Sequence, residues 1–141
     1  MKKAVFVLIL GFISACSYFQ DPMQIAPAGP LLPQVFEKPD LPPNFKLEAD
    51  FESIKTGFLE QKCIYCHQPG HKASRVPLLT KEDLINSPLD IVIPGNSEES
   101  GLILVLAKEA RKPMPPKNSN APLVTEEDIT ILKQWINKGA P

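Results

Sequence analysis

Residues that bind metals or do redox chemistry are scarce in this chain. Its 141 residues include three Cys and two His. With so few thiols and imidazoles, the competing metal and redox readings can be counted one by one. Long apolar runs are also missing. The stretch Ala4–Ile13 stops at ten residues, while a membrane-spanning helix needs about 20. Neither sign of charge dominates: 15 basic residues stand against 16 acidic ones, for a net charge of −1. Nothing in that balance points to nucleic acid. There is no internal repeat, and no run reads as a β-strand.

What is present centres on five residues, Cys63-Ile64-Tyr65-Cys66-His67. C-x-x-C-H is the attachment sequence of c-type haem. Two thiols add across the porphyrin vinyl groups, and the two intervening residues set the sulfurs at the vinyl spacing. The following imidazole then sits where it can bind iron. Other readings of the same residues stay open here. A zinc site would have to pack Cys63, Cys66, His67 and His71 into nine residues, against the usual two separated halves. A thioredoxin-like dithiol calls for a βαβ context that the pattern does not offer. A plain structural disulfide is the third alternative.

The N-terminal residues are laid out as a signal peptide: Lys2 and Lys3, then the apolar stretch, then the small residues Ser14 and Ala15 before Cys16. Ile13-Ser14-Ala15-Cys16 resembles the bacterial lipobox, with Ile where Leu is usual. Lipidation of Cys16 would consume the odd thiol, and multiple acyl chains give a stable membrane anchor. Ser17 resembles the outer-membrane sorting pattern of some Gram-negative bacteria. The expected location is therefore a bacterial membrane facing the periplasm, the outer membrane slightly favoured. Export and haem attachment agree, since c-type haem is attached outside the cytoplasm. Losing Lys2 and Lys3 with the leader takes the net charge from −1 to −3.

Residues 17–46 read as a Pro-rich tether. Seven of the chain's 16 prolines fall between Asp21 and Lys46, a composition that favours extended, semi-rigid chain. The alternative is a linker that wraps partly on the domain through Leu31, Leu32, Val35 and Phe36. Residues 47–141 form one small domain, at a size where a core alone is marginal and a buried haem would add apolar surface.

The domain reads as all-α. Phe51, Ile54, Phe58 and Leu59 recur at helical spacing and predict a helix over about 49–62, leading into the haem motif. Thr80 with Glu82 and Asp83 predicts the cap of a short helix to Asn86. Ile91-Val92-Ile93 is an apolar run closed by Pro94-Gly95. Ser97 is expected to cap a helix from about 98 to 110 with Leu102, Val105 and Leu106 facing in. Thr125-Glu126-Glu127-Asp128 looks like a capping box. The last helix would bury Ile129, Leu132, Trp135 and Ile136 and end at Gly139.

A haem held by His67 leaves a second axial position. His71 is too near His67 in the chain to pass round the haem edge, and Met23 lies in the tether. Met114 sits in Lys112-Pro113-Met114-Pro115-Pro116, where three prolines stiffen the backbone and remove N–H donors. It is the candidate sixth ligand, and Met/His ligation raises the reduction potential.

The haem motif, Met114-Pro115-Pro116, Thr125–Asp128 and the ending Trp135-Ile136-Asn137-Lys138-Gly139-Ala140-Pro141 together resemble class I cytochrome c-like domains. The planctomycete-type cytochrome c domain is the nearest likeness, and Ile93-Pro94-Gly95-Asn96-Ser97 is similar to its segment before a helix. The resemblance covers about residues 50–141. It implies an all-α fold with the first and last helices crossing beside one covalent haem c, where Phe58 or Leu59 would meet Trp135. It implies single-electron transfer with no substrate chemistry. Pro77 or a nearby carbonyl is expected to orient His67. Lys62, Lys72, Arg75 and Lys81, with Lys108, Arg111, Lys112 and Lys117, predict a basic rim that docks an acidic redox partner. Two other functions stay in view: a ligand-binding or sensory haem protein with a displaceable Met114, and a haem-free structural lipoprotein.

Overall fold

A computed structural model describes residues 37–141. The leader, Cys16, Met23 and the tether up to residue 36 lie outside the described residues. Among the described residues the regular structure is entirely helical, as the all-α reading expects. No helix there is long and apolar enough to cross a membrane.

The first helical rod has three parts. Helix α1 (Phe51–Ile54) starts at Asp50, whose carboxylate accepts the Ser53 N–H at 2.9 Å. A π-helical turn follows over Lys55–Leu59, and α2 (Glu60–Lys62) ends the rod at the haem motif. The flanking dihedrals stay helical through both junctions, so the three parts continue as one element.

The π-turn has a neighbour that explains its glycine. Phe45 and Leu47 lie against Gly57, and a Cβ at that position would fall inside contact distance of Phe45 Cε1. Gln61 Nε2 donates to Pro39 O at 2.8 Å. The segment from Pro39 to Leu47, most of which reads from sequence as tether, therefore lies against the rod. Local turn chemistry supports it, since Phe45 N–H donates to Pro42 O at 2.9 Å.

Helix α3 (Lys81–Ile85) has the expected capping box, with Thr80 and Asp83 satisfying each other's backbone N–H groups. Helix α4 (Gly101–Leu106) is shorter than expected and starts later. Ser97 does not cap it. Its hydroxyl is buried without a partner, and its N–H donates to Asn137 Oδ1 at 3.0 Å. Ser100 is the N-cap, but its hydroxyl serves the preceding loop instead, accepting Ile93 N–H at 2.9 Å and donating to Asn96 O at 2.7 Å. Ala107 turns to extended backbone at ψ 143°, which ends the helix.

Helix α5 (Glu126–Asn137) matches its sequence signals at both ends. Thr125 and Asp128 form the capping box. At the other end Gly139 N–H donates to Ile136 O and Ala140 N–H to Trp135 O, with Gly139 at φ +94°. This is the Schellman arrangement, and it needs a left-handed residue at that point.

The core gathers Ile54, Phe58 and Leu59 from the rod with Leu132, Trp135 and Ile136 from α5, all fully buried. Ile129, expected on the buried face, is only half-buried. The ring paired with Trp135 is that of Phe51, at 6.0 Å between centroids, while Phe58 and Leu59, which the resemblance places beside Trp135, are buried in the same core. Phe51 begins the rod and Trp135 lies near the end of α5. Lys62 ends the rod and pairs with Asp128 near the start of α5. The two elements therefore lie side by side in opposite directions.

We expect Gly57→Val to lower stability by about 1–3 kcal/mol through overpacking against Phe45. In a double-mutant cycle with Phe45→Ala the two costs should not add. Urea midpoints at unchanged m-value read the effect.

Candidate functional site

The site begins where the rod ends. Cys63 and Ile64 N–H groups both donate to Leu59 O, at 2.8 and 2.9 Å. Cys66 and His67 N–H groups then both donate to Cys63 O at 3.1 Å. This tight turn buries Ile64 in the core as an anchor and leaves Tyr65 exposed. Cys63, Cys66 and His67 all line a single cavity.

His67 is held by its other nitrogen. Nδ1 lies 2.9 Å from Val76 O. A carbonyl only accepts, so Nδ1 carries the proton and donates, and Nε2 keeps its lone pair for a metal. The orienting carbonyl belongs to Val76, the residue before the expected Pro77. The loop is brought back by Ala73 N–H donating to Cys66 O at 2.9 Å. His71 is exposed and meets the edge of Tyr65 at 5.5 Å, apart from the cavity lining.

Met114 reaches the same cavity from a different element. Residues 107–125 carry no helix, yet Met114 N–H donates to Val105 O at 2.8 Å. That bond satisfies a carbonyl in the last turn of α4, which the helix itself leaves unpaired. Met114, Pro115 and Pro116 face the cavity together with Leu102, Val105 and Leu106 of α4.

The cavity encloses about 980 Å³ including its open mouth, and its walls are overwhelmingly apolar. Ser119 Oγ, also in the lining, is buried without a hydrogen-bond partner. The residues present suit a covalently held haem. Two thiols and an imidazole with a free nitrogen lie on one turn, a thioether comes from another element, apolar walls surround them, and one orphaned hydroxyl remains for a bound group to satisfy.

They suit the rival readings less well. Desolvation against the cavity wall, only partly offset by neighbouring Lys62, pushes the Cys63 thiol up to about 12. A dithiol oxidoreductase needs a thiol shifted the other way. Among the described residues no group of three or more His, Cys, Asp or Glu side chains is arranged to hold a metal ion, which leaves Cys63, Cys66, His67 and His71 without a zinc geometry. Cys63 and Cys66 are unbridged.

One functional residue has another role than the one its charge suggests. Lys62 is not part of an exposed rim. Its side chain is 15% exposed and its ammonium pairs with Asp128, itself 12% exposed. It also donates to Leu123 O at 3.0 Å. Asp128 Oδ2 accepts the Thr125 N–H as well, at 2.7 Å. Burial raises the Asp128 carboxyl, but hydrogen bonds from Lys62 and Thr125 outweigh it and hold the group below its ordinary value. Lys108 is fully exposed and pairs with Glu126 at 2.9 Å. Lys72, Arg75, Arg111, Lys112 and Lys117 are exposed.

An all-α domain with this turn and this cavity has the features of a c-type cytochrome. Residues 63–118 match the family model described as planctomycete cytochrome C, which bears out the resemblance read from the sequence. The matched segment is shorter than that resemblance, leaving out the first rod and α5, but it contains Cys63, Cys66, His67 and Met114. The family implies haem c. No curated protein and no solved structure matches the chain.

The depressed Asp128 sets an acid dependence. Its contribution to stability is complete above the unfolded carboxyl value near 3.8 and disappears as pH falls through the lower folded value. Wild type should thus exceed Asp128→Asn in urea midpoint at pH 7, and the gap should close in strong acid. A gap that stays constant with pH would show that the ion pair contributes nothing.

Proposed function

We propose that this chain is a mono-haem c-type cytochrome that carries single electrons in the periplasm, held to a bacterial membrane by lipid on Cys16. The observation that carries the electron-transfer reading is the convergence of Cys63, Cys66, His67 and Met114 on one apolar cavity. The lipobox-like Ile13–Cys16 supports the anchor, and the outer membrane is the favoured location.

Bound there, haem c supplies a one-electron Fe(III)/Fe(II) couple. The chain's own part is to hold and insulate it. Cys63 and Cys66 fix the group to the turn. His67 offers Nε2 to the iron while the Val76 carbonyl keeps the ring from rotating. Met114 offers a soft thioether from a loop whose prolines restrict its backbone. The apolar walls keep water away, so changing the charge of the site disturbs little solvent. The exposed His71 lies apart from the cavity lining. We read the chain as an electron carrier and propose no substrate chemistry for it.

The partner is a redox protein with an acidic face. Lys72 and Arg75 follow the haem motif, and Arg111, Lys112 and Lys117 flank Met114; all five are exposed. Exposed charges of one sign near a redox centre speed encounter with the opposite sign. Lys62 is excluded from this surface by its burial, and Lys108 is partly neutralised by Glu126.

The mature protein, expressed with haem-attachment machinery, should show a sharp α-band on reduction and keep its pigment when denatured. A weak far-red sulfur-to-iron band in the oxidised form should vanish in Met114→Ala. A colourless product would remove the haem reading, and a retained far-red band would remove Met114 as ligand.

Electron exchange with an acidic partner should slow as salt rises, since the Debye length shrinks from about 10 Å at 0.1 M to 3 Å at 1 M. Rates indifferent to salt would remove the basic docking surface.

A further inference from the structure

The loop from Ala107 to Thr125 carries Met114 and closes one side of the cavity through Pro116, Ala121 and Val124. It has no helix to stiffen it. Near its middle, Met114 N–H is tied back to Val105 O of α4. At its far end, Leu123 O accepts from Lys62 Nζ at 3.0 Å. Lys62 is the residue immediately before Cys63, so the same side chain touches the element that holds the haem motif and the loop that holds Met114.

We propose that Lys62 is a positioning residue, a latch that fastens the Met114-bearing loop to the haem-motif helix and so keeps Met114 on the cavity. The proposal rests on the electron-carrier reading. Three features make the latch specific. The ammonium is held by two acceptors at once, Leu123 O and Asp128 Oδ2. Asp128 is fixed in turn by Thr125: its carboxylate accepts the Thr125 N–H at 2.7 Å, and its own N–H donates to the Thr125 hydroxyl at 3.1 Å. The site is largely shielded from solvent, at 15% and 12% exposure of the two side chains, so the pair is weakly screened. Leu123 itself is 82% exposed. Its side chain packs on little, and its backbone carbonyl is what the latch grips.

The prediction separates this role from simple stabilisation. In pigmented protein, Lys62→Met should raise amide hydrogen exchange at the hydrogen-bonded N–H groups of Met114 and Ser119 by about 10- to 100-fold, the worth of a hydrogen bond to a charged group. Exchange in α3 should stay unchanged. The same variant should bind added imidazole faster and weaken the far-red band, and Lys62→Arg should recover both. If Lys62→Met does not accumulate, Lys62→Gln keeps a donor for Leu123 without the charge and should show the same changes at smaller size. A pigmented wild type whose Lys62 variants match it in loop exchange and imidazole binding overturns the latch and leaves the electron-carrier reading standing. A colourless wild type overturns that reading and the latch with it.

Discussion

The antiparallel contact between the first rod and α5 fixes where the haem motif can be. It is pinned at both ends by different physics. At one end Phe51 and Trp135 bury aromatic surface against each other. At the other, Lys62 and Asp128 form a shielded ion pair. Cys63 follows Lys62 directly, so the second contact sets the position of the attachment turn almost without freedom. A shielded pair of this kind has much of its attraction offset by desolvation. It does impose a cost on any other register, since sliding either element would leave a buried charge unpaired.

Around that pin the domain is built of short pieces. Helices α3 and α4 have five and six residues, too few to be stable alone. A capping box and the buried Leu84 hold α3, and packing on the cavity wall through Leu102, Val105 and Leu106 holds α4. Helix α4 stops early, and its termination matters to the site. Because Ala107 leaves the helix, the carbonyl of Val105 is free to accept the Met114 N–H. A helix continued to residue 110 would occupy that carbonyl and set Met114 loose. Gly101 makes a similar contribution at the start of α4, where a Cβ would press on the backbone oxygens of Leu89 and Asp90.

How much of this the sequence discloses depends on the range of the interaction. The two capping boxes, the Gly139 ending and the C-x-x-C-H turn are decided within six residues, and each is readable from its own words. The Ser97 reading fails because Ser, as a residue type, suits a cap. Here a distant residue, Asn137, takes the Ser97 N–H, and Ser100 uses its hydroxyl on the preceding loop. Lys62 looks like one of four basic residues in an acid-free stretch, and only tertiary structure brings Asp128 to it. Similarly, helical periodicity marks Phe51 and Phe58 alike as buried-face residues and cannot say which ring pairs with that of Trp135. The prolines near residue 40 read as tether, but the chain there turns at Pro42 and lies against the helix through Pro39 and Phe45. Gly57 is the one local sign of that contact, a residue with no side chain in the middle of a helical pattern.

The choice between an electron carrier and a ligand-binding haem protein turns on the loop more than on the ligand. A thioether is a weak axial ligand compared with an imidazole, so its occupancy depends on how rarely its loop departs. A loop of this length with no regular structure would ordinarily open often. Three restraints act against that here. Prolines at 113, 115 and 116 narrow the backbone around Met114. The bond to Val105 ties Met114 itself, and Lys62 ties the far end of the loop. A carrier benefits from such stiffness, because a site that keeps its ligands through oxidation and reduction needs little rearrangement per electron. A gas or peroxide binder would need the reverse. The restraints on both sides of Met114 therefore favour the proposed carrier over a binder of gas or peroxide.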